Sequence, residues 1–139
     1  MRVFVDTNVL VSAFATRGLC ADVFRLVISR HELIVGEVVL EELEAVLKNK
    51  LQVPVSTVEE LLRHLREHTV VPRPSAAPIE VAGDPSDAWV MASAIGAGAD
   101  VLVTGDRDLL DLPARAELAV LTPRAFWNRL RGADSLEPA

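Results

Sequence analysis

The sequence predicts an α/β fold built on a parallel sheet of about five strands with helices on both faces. Short runs such as Val3–Val5, Leu33–Val35 and Val101–Val103 are continuously apolar, without the alternation expected of a sheet wetted on one side. Segments with helical periodicity separate most of these runs, as crossovers between parallel strands require. Acids follow two of the runs, Asp6 after the first and Asp106 just past Val101–Val103, where a parallel sheet presents its carboxyl edge and gathers ligands.

At 139 residues the chain suits one domain, expected over 1–131 with a tail at 132–139. Such a length buries roughly two thirds of the unfolded surface. Half of the residues are hydrophobic and no repeat, linker or low-complexity run interrupts them, which excludes a disordered chain. No apolar run is long enough for a membrane span, and no basic segment with a cleavage site opens the sequence, so a cytoplasmic protein is expected. Cys20 is the only cysteine and its helical setting suits a small core residue. The formal net charge of −6 argues against a general electrostatic grip on nucleic acid. It is compatible with an enzyme whose acids hold cations while arginines meet phosphate.

In chain order, Val3–Val5 makes the first strand and runs into Asp6-Thr7-Asn8, where an acid either points into a site or closes an Asx-turn or helix cap. A helix from Val9 loosens near Arg17-Gly18 and resumes over Ala21–Ser29; Glu32–Val35 is the second strand, ended by Gly36. From Glu37 to about Lys50, Val39, Leu40, Leu43, Val46 and Leu47 share one helix face. Glu42 and Glu44 fall on the two borders of that face, and periodicity does not choose between them. Ser56 and Glu59 offer a capping box for a helix through about Glu67. His64-Leu-Arg-Glu67-His68 matches an inverted zinc-peptidase pattern, but Glu67 lies nearly opposite the apolar stripe and no third ligand is apparent. Thr69–Pro72 is a short strand, followed by the loop-like Arg73–Pro78. Asp84 as N-cap, Pro85 at the first helical position and Asp87 in the first turn start the next helix, which ends around Gly96-Ala-Gly98. Asp100–Thr104 is a strand leading to Gly105-Asp106-Arg107-Asp108, whose acids fit either a site or a turn and cap. Ala119–Leu121 is the last strand, and a helix from Pro123 to about Arg131 closes the domain.

Asp6, Glu42, Asp87 and Asp106 therefore recur where one sheet-edge site can collect them. Carboxylates brought together repel unless cations sit among them, and hard oxygen donors without a thiol pair favour Mg²⁺ or Mn²⁺ over zinc. That chemistry suits phosphodiester hydrolysis and needs no serine or cysteine nucleophile.

Phe4-Val-Asp6-Thr7-Asn8-Val-Leu, Leu40-Glu-Glu42-Leu-Glu-Ala-Val-Leu47, Asp84-Pro-Ser-Asp87 with Ala92, and Ala99-Asp-Val-Leu-Val-Thr104-Gly105-Asp106-Arg-Asp108-Leu together resemble the PIN-domain ribonucleases. The resemblance is greatest to toxin components of toxin–antitoxin systems and covers Arg2 to about Trp127. It implies a three-layer α/β/α sandwich and Mg²⁺- or Mn²⁺-dependent cleavage of RNA. Position by position it marks Asp6, Glu42, Asp87 and Asp106 as the acidic site, favouring Glu42 over Glu44. Asp108 becomes an accessory acid, and Thr7, Asn8 and Thr104 become hydrogen-bonding supports. Two departures stand out: Ser86 where many relatives carry an acid, and Gly36-Glu37 where many carry Ser or Thr.

The leading expectation is thus a metal-dependent endoribonuclease restrained by an antitoxin, with a homodimer compatible with the sequence. Arg73, Arg107, Arg124 and Arg129 are candidate phosphate contacts. An alternative is a catalytically quiet RNA-binding or complex-forming module. A phosphohydrolase of the haloacid-dehalogenase type is disfavoured, because Asn8 stands where that pattern wants a second Asp.

Overall fold

The computed structural model describes residues 1–75, 85–113 and 117–136. Five strands, β1 (Arg2–Val5), β2 (Glu32–Gly36), β3 (Thr69–Val71), β4 (Val101–Val103) and β5 (Ala119–Leu121), form one sheet in the order β3-β2-β1-β4-β5. Every pairing is parallel, with Val3 opposite Leu33 on one side and Val101 on the other. Successive residues of a strand point to opposite faces, yet Val3, Phe4 and Val5 are all buried, as are Val101, Leu102 and Val103. Helices therefore cover both faces, which is the three-layer α/β/α arrangement.

The helices are α1 (Thr7–Ala15), α2 (Leu19–Arg30), α3 (Glu37–Ala45), α4 (Val55–Leu65), α5 (Pro85–Gly96), α6 (Arg107–Leu110) and α7 (Pro123–Leu136). Within the core, α2 packs against α1 and α7, and α5 against α3, α6 and β2. No helix among the described residues is long and apolar enough to cross a membrane. The strand order reverses between β1 and β4: the chain leaves β1 toward β2 and β3, then returns to β1's other side for β4 and β5. A crevice opens at such a reversal, beyond the carboxyl ends of the two strands.

Several boundaries differ from expectation. The helix expected to Lys50 becomes a π-helical turn at Val46–Lys50, where the Leu51 N–H reaches back to the Val46 carbonyl. The wider turn keeps Leu47 buried before Gln52 (φ 51°) redirects the chain toward Pro54. The Ser56 capping box does not form: α4 starts two residues earlier, at Val55, with the Pro54 carbonyl accepting from Val58 N–H, so Ser56 lies inside the first turn. The last helix continues past Arg131 to Leu136, into the segment expected as a tail. The cap expected of Asp84 lies outside the described residues.

At its other end, α5 stops in a Schellman motif. Ala99 N–H bonds the Ala94 carbonyl and Gly98 N–H the Ile95 carbonyl, with Gly98 in the left-handed region at φ 66°. This sharp stop lets β4 follow almost at once and aims its carboxyl end at the crevice.

Candidate metal centre at the sheet edge

Asp6 leaves β1 in extended conformation and becomes the N-cap of α1. Its Oδ1 accepts from the Thr7 N–H at 2.7 Å, and its Oδ2 from the Thr104 hydroxyl at 2.7 Å. Capping and site-facing are thus compatible roles for one carboxylate. Burial pushes the Asp6 carboxyl above the ordinary carboxylate range; the Thr104 and Thr7 hydrogen bonds oppose the shift, and the charges of Glu42 and Asp106 add to it. That influence puts Asp6, from β1, within electrostatic reach of acids carried by α3 and by the segment after β4.

Thr104 ties two of these acids together. Besides donating to Asp6, its Oγ1 accepts from the Asp106 N–H at 3.0 Å. Asp106 in turn caps α6, its Oδ1 accepting from the Asp108 N–H at 2.9 Å. Asn8 fastens the same loop from the other side, its Oδ1 accepting from the Gly105 N–H at 3.3 Å. Thr104 is fully buried, so the linkage does not compete with water.

Glu42 is held by Thr7, whose hydroxyl donates to its Oε2 at 3.1 Å. Glu44 instead takes the Lys48 ammonium at 2.7 Å on its own helix, and Glu41 takes Arg73 at 2.9 Å. Of the two border acids, then, Glu42 is the one joined to the residue beside Asp6.

Asp87, in the first turn of α5, is buried, whereas Asp106 is half-buried and Asp108 exposed. One carboxylate oxygen from each of Asp87, Asp106 and Asp108 lies within 4.8 Å of the others. Among the described residues this is the one group of three or more His, Cys, Asp or Glu side chains with ligand atoms so close. Its donors are all carboxylate oxygens, graded from a buried to an exposed position, which fits a hard divalent cation open to water on one side. Asp106 belongs both to this trio and to the Asp6 neighbourhood. Asp108, read from sequence as accessory, sits in the trio itself.

Other candidates fall elsewhere. His64 is exposed where α4 ends and lies 3.9 Å from both Glu60 and Glu67, a solvent-facing charge cluster. Cys20 packs at the core margin and burial raises its thiol, the reverse of an activated thiolate. Of the arginines, Arg73 pairs with Glu41 in a groove that Glu42 also lines, and Arg107 opens α6 beside Asp106. Arg124 is in the first turn of α7 and Arg129 further along it, both exposed. Trp89, half-buried and stacked under Arg73, was not singled out by the sequence, because an aromatic inside an apolar helix looks like core.

A family model described as PIN domain matches residues 2–108, a span that includes each of these acids. The chain belongs to the PIN-domain family. No curated protein matches the sequence. Solved structures with the same fold include VapBC2 from Rickettsia felis, bound to a DNA fragment from its promoter, with TM-score 0.62 and 13% identity over 86% of this chain and 97% of that one. VapC20 from Mycobacterium tuberculosis, a sarcin–ricin-loop-cleaving toxin, has TM-score 0.58 and 17% identity over 78% and 92% of the two chains. VapBC-1 from nontypeable Haemophilus influenzae has TM-score 0.59 and 16% identity over 89% and 99%. At these identities the likeness is one of fold, and it extends over nearly the whole of each toxin-system chain. This PIN domain keeps the polar supports Thr7, Asn8 and Thr104 in hydrogen-bonding contact with Glu42, Gly105, Asp6 and Asp106.

Proposed function

We propose that this PIN domain is a divalent-metal-dependent endoribonuclease that hydrolyses RNA phosphodiester bonds, and that it is the toxin of a toxin–antitoxin pair. The observation that carries the reading is the approach of Asp87, Asp106 and Asp108 within 4.8 Å beside the buried Asp6, at the reversal of strand order. So many carboxylates in one crevice are costly without a counter-cation.

In this reading Asp6, Glu42, Asp87 and Asp106 hold Mg²⁺ or Mn²⁺, with Asp108 contributing from the rim. A divalent cation supplies polarisation of the scissile phosphate and activation of water at neutral pH. The chain's own residues do the positioning. Thr104 fixes Asp6 and the Asp106 backbone as one unit, Thr7 steadies Glu42, and Asn8 fastens Gly105. Arg107, next to Asp106 and exposed, is a candidate phosphate contact, and Arg124 is a further one at the start of α7.

The fold shared with VapBC structures supports an antitoxin partner covering the crevice, and the absence of a long apolar helix among the described residues is compatible with work in the cytoplasm. The decisive experiment incubates purified protein with a mixed RNA pool, with and without Mn²⁺, alongside Asp6→Asn. Metal-dependent fragments from the wild type, reduced at least roughly 100-fold in the variant, are expected. No Mn²⁺-dependent difference in the RNA pattern would leave a quiet RNA-binding or complex-forming module instead.

A further inference from the structure

Beside the carboxylates runs a groove of about 380 Å³, lined by Val38, Glu41, Glu42, Arg73, Trp89 and Val90, with Ser86 at its edge. Glu42 lines the groove and is bonded by Thr7, next to Asp6, and Ser86 precedes Asp87, so the groove borders the acids. Inside it, the Arg73 guanidinium lies 5.2 Å from the centroid of the Trp89 ring while its Nη2 donates to Glu41 Oε2 at 2.9 Å. A flat cation is thereby held against a flat aromatic by a carboxylate. The Arg73–Glu41 pair is about half exposed on both sides, and pairs of that kind contribute little to folding. It sets the guanidinium over the indole ring, next to apolar Val38 and Val90.

We propose that this groove is a nucleobase subsite, in which one unpaired base of single-stranded RNA stacks on the Arg73–Trp89 platform while its backbone passes the acids. Bases stack on aromatic rings and on guanidinium planes alike, and the contact tolerates any base because each has a π face. Arg73, already paired with Glu41 over the Trp89 ring, loses less rotational freedom on binding than an unpaired side chain would. The acids that surround the groove disfavour a bare phosphate there and accept from base N–H groups, so the base rather than the backbone enters. The inference rests on the endoribonuclease reading only in its choice of RNA as the chain.

The chain has two tryptophans, Trp89 and Trp127, so Trp127→Phe leaves Trp89 as the sole reporter. With Ca²⁺ present to relieve the carboxylate charge, this protein is titrated with a ten-nucleotide mixed-sequence RNA and with an abasic ribose-phosphate chain of equal length. Quenching of Trp89 by the RNA and not by the abasic chain is expected. Arg73→Lys keeps the charge and removes the plane, and it should weaken RNA binding roughly 5- to 100-fold, as should Trp89→Leu, both read by the anisotropy of an end-labelled copy of the same RNA. If Trp89→Leu fails to fold, the exposed Arg73→Lys decides alone. Equal quenching by both chains, or wild-type affinity in Arg73→Lys, overturns the proposal. Metal-dependent cleavage with no base-dependent quenching removes the subsite alone. Base-dependent quenching without cleavage removes the hydrolase reading and keeps the subsite.

Discussion

Asp6 sets burial against charge in this PIN domain. Its carboxyl is buried and lies near Glu42 and Asp106, so the folded state favours the protonated form relative to the unfolded chain. An acid raised in this way is stabilising below its unfolded value, and that contribution is lost as pH rises through the higher folded value. In metal-free protein, thermal stability attributable to Asp6 should therefore fall on going from acid toward neutral pH. The Asp6→Asn variant removes that dependence, so the difference in Tm between variant and wild type should grow in the variant's favour as pH rises. Thermal melts in EDTA across the acidic to neutral range measure it. A constant difference would show that the Asp6 charge is already relieved within the fold.

At the scale of the element, Gly36 explains one departure from the PIN-domain pattern. It ends β2 and precedes α3, and a Cβ there would lie 2.8 Å from the Phe4 ring. Phe4 is fully buried in β1, so its ring would have to shift within the core to make room. A Ser or Thr side chain at this position is therefore disfavoured by packing, and Glu37 takes a different local partner: its carboxylate receives both Arg66 nitrogens, at 2.6 and 3.0 Å. Those bonds hold the Glu37 carboxyl below its ordinary range and tie the start of α3 to the end of α4. Gly36→Ala should destabilise the domain by about 1–3 kcal/mol, the usual cost of overpacking. Urea unfolding, read as a shift in midpoint at constant slope, checks this.

For the whole molecule, a cation held at the proposed centre would couple its binding to folding. The candidate acids come from α3, α5 and the ends of β1 and β4, elements far apart in sequence that only the complete sheet brings together. A cation that binds the folded state alone must stabilise it, by about 2.7 kcal/mol at a hundred times its dissociation constant. Mg²⁺ or Mn²⁺ should accordingly raise Tm, and EDTA should reverse the rise. Asp106→Asn should abolish most of the effect, because Asp106 is common to the Asp87–Asp108 trio and to the Asp6 neighbourhood. An undiminished metal-induced shift in that variant would place the cation elsewhere.

The sequence by itself determined the class of fold and the position of each strand, because burial on both sheet faces leaves a local record in short unbroken apolar runs. It also brought Asp6 and Asp106 forward, since residues just beyond parallel strands are legible from the strands themselves. Helix ends were less legible: Pro54 displaced the expected Ser56 cap, and the turn at Val46–Lys50 widened without any residue that announces it. Only the tertiary structure decided the strand order that puts β4 beside β1, the Thr7 hydroxyl as the partner of Glu42, and the approach of Asp108 to Asp87. Periodicity reports which way a side chain leaves its own element. Which other element it meets depends on contacts between residues as far as 98 positions apart, and a local pattern does not encode them.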